Sequence, residues 1–319
     1  MRRTSRAPLL WLPAALLAGV AAGWFIPLPQ SLPLAALLAV QSIVVFLLAL
    51  SMPLLSVGRA VWQRRVWGAL LAINLLAVPL LAFILSRVVW HTYELQVGLL
   101  LVLLAPGVAL TLPIIRGAGG DAESVLGVMP LLLAGLLVLV PLLTIVLSGG
   151  VFTLSDIPQT LVPIALTIVF PVGVALVLQA VAQQRGQKVS TLFGDVPRWT
   201  IWVGAAGFFL VAWDRTPDMA LRLGELSWLV PVSIAFLVLM APLNLLVAGL
   251  AGVTVDKRRA ILIAGIGRGG LVMLPITLAL DQEVWGLVPF VVMLYTAIEA
   301  IGLLVYRSIT PEILDSSQR

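Results

Sequence analysis

Long apolar runs separated by short polar loops repeat along this chain from end to end. About 20 apolar residues in helix cross roughly 30 Å of hydrocarbon. Ten runs qualify, near residues 8–26, 32–55, 66–86, 94–115, 122–148, 158–182, 197–214, 224–250, 259–281 and 284–306. No period-two alternation of apolar and polar positions recurs, which argues against an outer-membrane barrel. The pattern predicts an all-α polytopic membrane protein with ten transmembrane helices.

Two of the runs carry interruptions. Residues 103–121 read "LLAPGVALTLPIIRGAGGD" and residues 263–281 read "IAGIGRGGLVMLPITLALD". Glycine weakens a helix and proline removes an i to i−4 hydrogen bond, so Pro106, Pro113, Gly265, Gly270 and Pro275 are the candidate helix-breaking positions. Pro113 and Pro275 stand 162 residues apart. The chain thus divides into 1–150, with its broken span at 94–115, and 155–319, with its broken span at 259–281. Five spans in each half force the second repeat to be inverted relative to the first. Irregular backbone at membrane depth persists only where protein buries it or a cavity runs past it. A pair of broken helices in corresponding halves points to a secondary transporter with its site near the midplane.

Composition agrees: 61% of residues are hydrophobic and 10% charged, with a mean hydropathy of +1.14. With a cytoplasmic amino terminus, one side collects fifteen of the basic residues: Arg2, Arg3, Arg6, Arg59, Arg64, Arg65, Arg116, Arg185, Lys188, Arg198, Lys257, Arg258, Arg259, Arg307 and Arg319. The other side holds Arg87, Arg215 and Arg222, and Arg268 remains inside a span. The positive-inside rule therefore predicts a multi-pass protein of the cell (inner) membrane with both termini cytoplasmic. These loop charges account for the net charge of +5, so no nucleic-acid partner is implied. The basic, apolar beginning of the chain looks like a secretory leader, but it is long enough to serve as the first span. The 183–198 connector is polar, long and cytoplasmic in this topology. No cysteine occurs, which excludes disulfides and thiolate metal sites, and the one histidine, His91, falls in an external loop. No metal or cofactor is expected. Nor is an enzyme: Ser/His and Cys/His pairs, paired carboxylates, a P-loop and an ATPase signature are all missing.

A rise of 1.5 Å per residue, counted from the loops, places Arg268, Asn74, Gly107 and Glu299 about 12–13 Å from the basic side. Gln41 falls near the middle as well. A guanidinium at the bilayer centre costs at least about 2.5–3.5 kcal/mol and needs a partner. Arg268 either forms a buried ion pair with Glu299 or holds an anionic solute, with Glu299 tuning it or exchanging a proton. The clustered glycines either permit close helix packing or offer unwound backbone to a ligand. The Thr111 hydroxyl either bonds back to its own helix or joins the site, and Asn74 and Gln41 have similar alternatives. Asp121 and Glu123 read as a helix N-cap and first turn. The candidate solute-binding residues are Arg268, Glu299, Gly107, Thr111, Asn74, Gly267 and Gly269.

At these residues the chain resembles the bile acid:sodium symporter superfamily, most closely its branch of arsenic resistance proteins and arsenite efflux carriers. The likeness covers nearly the whole length. "AINLLAVPLLAF" (72–83) is similar to the family's third span, and 103–121 to its Pro-Gly crossover followed by Gly-Asp. "GIGRGGLVMLPITLAL" (265–280) looks like the second crossover, and "YTAIEAIGLLVYR" (295–307) like the last span, with an arginine and a glutamate matching Arg268 and Glu299. The resemblance implies ten helices in a panel domain and a core domain, with the crossing helices in the core. Where sodium-coupled members carry Glu-x-Gly-x-Gln-Asn, this chain has Ile263, Gly265, Gly267 and Arg268, and their Ser-Asn pair is Thr111 and Leu112. Gly107 stands where arsenite carriers place a cysteine. The expectation is a secondary transporter moving a small anionic solute by alternating access without sodium coupling. The alternatives are an arsenite-type efflux carrier with a site that lacks thiols, and a membrane sensor or scaffold that moves nothing.

Overall fold

The computed structural model describes residues 8–52, 54–56, 63–107, 110–157, 160–186 and 196–314. Arg2, Arg3, Arg6, Arg59, Lys188, Arg319 and most of the 183–198 connector lie outside the described residues. Within them every regular element is helical, and seven helices are long and apolar enough to cross a membrane. In chain order the helices are α1 (Trp11–Phe25), α2 (Leu34–Ser51), α3 (Arg64–Val89), α4 (Tyr93–Leu104), α5 (Thr111–Gly117), α6 (Ala122–Leu126) and α7 (Met129–Ser148). They continue as α8 (Leu161–Gln184), α9 (Val196–Met219), α10 (Leu229–Leu250), α11 (Val255–Ile266), α12 (Gly270–Leu278), α13 (Gln282–Trp285) and α14 (Val288–Ile313). The seven long ones are α1, α2, α3, α8, α9, α10 and α14.

These helices do not segregate polar and apolar faces as soluble helices do. Their outer surfaces stay apolar: Leu161, Val162, Leu166, Val169, Phe170 and Val177 of α8 are all exposed. Water would penalise so large an apolar patch, whereas hydrocarbon does not.

Packing divides the helices into two groups, each drawing on both halves of the chain. The first contains α1, α2, α8 and α9. Within it α1 lies against α9 through Gly19 and Gly23, where an added Cβ would stand 2.6 Å from the Phe209 carbonyl oxygen and 2.7 Å from that of Trp213. Small residues one turn apart let backbones approach and gain dispersion contact where lipid offers no hydrophobic drive. Asp214 of α9, buried, accepts the Leu32 N–H at 2.5 Å and so fixes the loop between α1 and α2. Gln179 of α8 bonds the end of α2, donating to the Ala49 and Met52 carbonyls at 3.0 and 2.7 Å. The second group gathers α3, α4, α7, α10, α11, α12 and α14. The groups meet where α2 runs along α12 and α1 along α14.

Two spans widen into π-helix, at Ile73–Ala77 in α3 and at Ala165–Val169 in α8. Each is followed within two residues by a proline, Pro79 and Pro171. Proline has no N–H to give the turn before it and clashes with that turn's carbonyl, and a locally wider coil relieves both problems.

Asp121 caps α6 as its position suggested, accepting the Glu123 and Ser124 N–H groups at 3.1 Å each. Asp281 does the same for α13 through Glu283 N–H at 3.0 Å. The three arginines of the sparsely charged face are all engaged. Arg87 lies over the Phe83 ring at 4.4 Å and donates to the Leu147 carbonyl at 3.0 Å, and Arg215 sits 3.1 Å from the Asp214 carboxylate. Arg222 pairs with Glu94 and, at 3.2 Å, with Glu225. The Glu94 hydrogen bond foremost, with Glu225 adding, raises the Arg222 pKa above its ordinary value.

Glu94 is fully buried at the start of α4 and also accepts the Leu287 N–H at 3.0 Å, joining α4 to the entry of α14. Glu94→Ala leaves that N–H without its acceptor and should destabilise the protein by about 1–3 kcal/mol. Thermal unfolding of the purified protein in detergent measures the loss, and Glu94→Gln, which retains an acceptor, should lose less.

Candidate functional site

The chain leaves helix inside the buried core in two places, at Ala105–Gly107 after α4 and at Gly267–Gly269 between α11 and α12. The two irregular segments cross and pair with each other. Pro106 and Arg268 form an isolated antiparallel bridge. Gly107 N–H donates to the Gly267 carbonyl at 3.1 Å, and Gly269 N–H to the Ala105 carbonyl at 2.9 Å. Each break thus supplies the hydrogen-bond partners that the other lacks, which is how unwound backbone survives away from water.

Glycine is required here for proximity. A Cβ on Gly107 would overlap the backbone of Gly267 and Arg268, and one on Gly269 would stand 2.9 Å from the Pro106 carbonyl oxygen. A Cβ on Gly267 would meet the Thr111 methyl, one on Gly270 the Thr296 hydroxyl, and one on Gly265 the Asn244 carboxamide at 2.5 Å. Two chains cross with no side chain between them.

Arg268, 2% exposed, sits in the second break and answers a different deficit. The last carbonyls of a helix have no intrahelical donor, and cations are favoured at that end. The guanidinium serves two such ends together. Its Nη1 donates to the Leu103 carbonyl at the end of α4, at 3.3 Å. Its Nη2 donates to the Gly265 carbonyl and its Nε to that of Ile266 at 3.5 Å, both at the end of α11. A fourth bond runs from Nη1 to the Asn74 carboxamide oxygen at 3.2 Å, within the π segment of α3. Asn74 is held in turn by donating to the Leu70 carbonyl at 2.8 Å. The guanidinium also lies 5.7 Å from the Phe236 ring centroid, in cation–π range.

Glu299 is fully buried beside this arrangement but does not pair with the guanidinium. Its Oε1 accepts the Arg268 backbone N–H at 2.7 Å, and among the described residues the ion pairs do not include these two side chains. Its Oε2, the Tyr295 hydroxyl one turn away and the Asn244 Oδ1 are buried without hydrogen-bond partners. The buried-ion-pair alternative is therefore replaced by two separate roles: the arginine side chain serves helix C-termini, and the glutamate serves a backbone N–H.

Asn74, Pro106, Gly107, Thr111, Gly265, Gly267, Arg268, Gly269, Gly270 and Glu299 thus come together around one crossing. Two anticipated break positions do not mark the breaks. Pro113 is the third residue of α5, where its missing N–H would have had no intrahelical partner, and Pro275 lies inside α12. The glycines and Pro106, where backbone meets backbone, mark the interruptions instead. Gln41 stands apart from Arg268, fully buried against Gly207 of α9 with both amide atoms unpaired. Phe236, Asn244 and Tyr295 escaped the sequence reading. A signal for Asn244 was present, because the triplet Asn-Leu-Leu occurs at 74–76 and again at 244–246, once in each half.

A small void of about 10 Å³, room for one water, lies beside Arg268 and Gly269. Leu48 and Met52 near the end of α2 and Leu271 and Val272 of α12 close it, so it sits on the boundary between the two helix groups. The site therefore offers a cation held only by neutral oxygens, the start of α12 and an acid with a free oxygen, all at an apolar seam. Gly107→Ala should lower the melting temperature sharply by forcing the crossing apart. Gly135→Ala on α7, where a Cβ meets nothing within 4 Å, should be neutral or gain about 0.5–1 kcal/mol in the same measurement.

No family model matches the chain, and no curated protein matches it in sequence.

Proposed function

We propose that the protein is a secondary membrane transporter that moves a small anionic solute by alternating access. The observation that carries this reading is the position of Arg268: a buried guanidinium at the crossing of two interrupted helices, beside the seam between two helix groups. Soluble-type packing has no need for such a cation at bilayer depth, and intramembrane charges mark solute and ion pathways. The partners of the guanidinium are carbonyls and one carboxamide, all neutral. An anionic oxygen can exchange for one of them and form a stronger, charge-assisted bond. The N-terminal end of α12 begins two residues from Arg268 and adds a partial positive charge at the same place.

In this reading the chain spans the cell membrane ten times with both termini in the cytoplasm. The seven long helices, the discontinuous pairs α4–α5 and α11–α12 and the apolar α7 supply the ten spans. The matching breaks in the two halves support an inverted repeat. They also support kinship with the bile acid:sodium symporter-like carriers on the arsenic-resistance side. Arg268 then holds the crossing together as a fixed charge where a bound sodium ion would otherwise serve, so transport does not depend on sodium. Glu299, with one carboxyl oxygen unpaired, is the group that takes up a proton.

Two outcomes in proteoliposomes follow. Arg268→Gln should cut uptake of a transported anion at least tenfold, and Arg268→Lys, which keeps the charge but not the fork of donors, should fall between. Undiminished transport by Arg268→Gln would remove the role given to the guanidinium. Replacing sodium by potassium on both sides should leave the rate unchanged, and a strict sodium requirement would contradict the fixed-charge reading.

A further inference from the structure

A cavity of about 340 Å³ opens on the basic face, at the opposite end of α11 from the crossing, between the first turn of α3 and the turn that joins α10 to α11. Three cations line it, Arg64, Arg65 and Lys257, together with Gly252, Val253 and Thr254. One wall is set by Gly252, whose φ of +60° ends α10 in the left-handed conformation that glycine adopts freely. The Gly252 carbonyl accepts from Arg65 at 3.3 Å, and the Val253 carbonyl from Arg258 at 3.0 Å.

The charge at this cavity is unbalanced. Arg64 and Arg65 open α3 and Lys257 lies in the first turn of α11, where the helix dipole disfavours cations. Neither helix start receives a side-chain cap, from Gln63 or from Thr254. Residues 54–67 contain no acid, and none of the three cations takes part in an ion pair among the described residues. The nearest acid in sequence, Asp256, is turned to local donors. The Thr254 hydroxyl foremost, with the Lys257 N–H and charge adding, holds its carboxyl below the usual carboxylate range. Asp256 is therefore ionised at neutral pH; neither it nor Asp121 and Glu123 of the neighbouring α6 lines the cavity, whose charged lining is the three cations.

The cavity also lies at a particular depth. Leu75, Leu76, Leu80, Phe83 and Ile84 of α3 face outward, and Leu75 is about 15 Å along the helix from Arg65. That distance is about half the hydrocarbon thickness, which puts the cations at the level of lipid headgroups.

We propose that this cavity binds a phosphate group, supplied either by the headgroup of an anionic phospholipid in the adjoining leaflet or by free phosphate. Two arginine forks and an ammonium match the oxygens of a phosphate, and basic pockets between spanning helices at headgroup depth are suited to such groups. The inference does not depend on what solute the protein carries.

The test titrates full-length protein, purified in a neutral detergent, with short-chain phosphatidylglycerol and separately with inorganic phosphate, and follows thermal unfolding. Short-chain phosphatidylcholine is the blank. Stabilisation by phosphatidylglycerol alone assigns the lipid source, and equal stabilisation by inorganic phosphate assigns the soluble one. Affinity should fall about fivefold for each of Arg64→Gln, Arg65→Gln and Lys257→Gln, and about a hundredfold for all three together. Asp256→Asn, which removes the neighbouring negative charge, should tighten binding severalfold. Arg185→Gln with Arg198→Gln removes two exposed charges elsewhere and should change nothing. The single substitutions carry the test if the triple variant does not fold. A parent protein stabilised by neither ligand overturns the proposal, as do cavity variants that bind like the parent or a control pair that loses as much as they do.

Discussion

One guanidinium terminates two helices. Four carbonyls at the end of any helix lack donors, and in hydrocarbon water cannot supply them. Both α4 and α11 stop inside the folded protein, where Leu103, Leu104, Gly265 and Ile266 are buried, and Arg268 reaches the last turn of each. The backbone bonds at the bridge take the Ala105 and Gly267 carbonyls, and Glu299 takes the Arg268 N–H. The remaining features of the crossing follow from this. The glycines bring the chains close enough to pair, and Asn74 and Phe236 hold the guanidinium from the flanks.

The same residue joins architecture to chemistry. The oxygens that hold the guanidinium belong to neutral groups, and α12 starts beside it with the positive end of its dipole. Glu299 sits on the backbone N–H and not on the guanidinium, so the two groups share one cluster without a direct bond between their side chains.

How much of this was legible beforehand depended on the length scale of the signal. Spans are announced by runs of apolar residues, and the long helices fall where those runs lie. Residues with strong intrinsic penalties in lipid were legible too, because Arg268, Glu299 and Asn74 have no other reason to sit in apolar sequence, and counting residues brought them to one depth. What the sequence hid was direction. Counting places Arg268 and Glu299 together but cannot say which atoms meet, and the ion pair, one of the two readings open, gave way to a side-chain bond and a backbone bond of separate purpose. Pro113 and Pro275 looked like the breaks because proline is a strong breaker in general, but Pro113 falls in a first turn, where its missing N–H costs little, and Pro275 is carried inside α12. Phe236 acts through its ring face, which no spacing rule marks in a chain this rich in apolar residues. The π segments were equally hidden, since they depend on how each proline is accommodated by the turn before it.

The boundary beside Arg268 is made of Leu48, Met52, Leu271 and Val272, side chains that grip only by dispersion. On one flank α1 and α9 meet backbone to backbone at Gly19 and Gly23. Among the described residues that line the void, such a greasy joint offers no hydrogen bond between the two helix groups that a displacement across it would have to break.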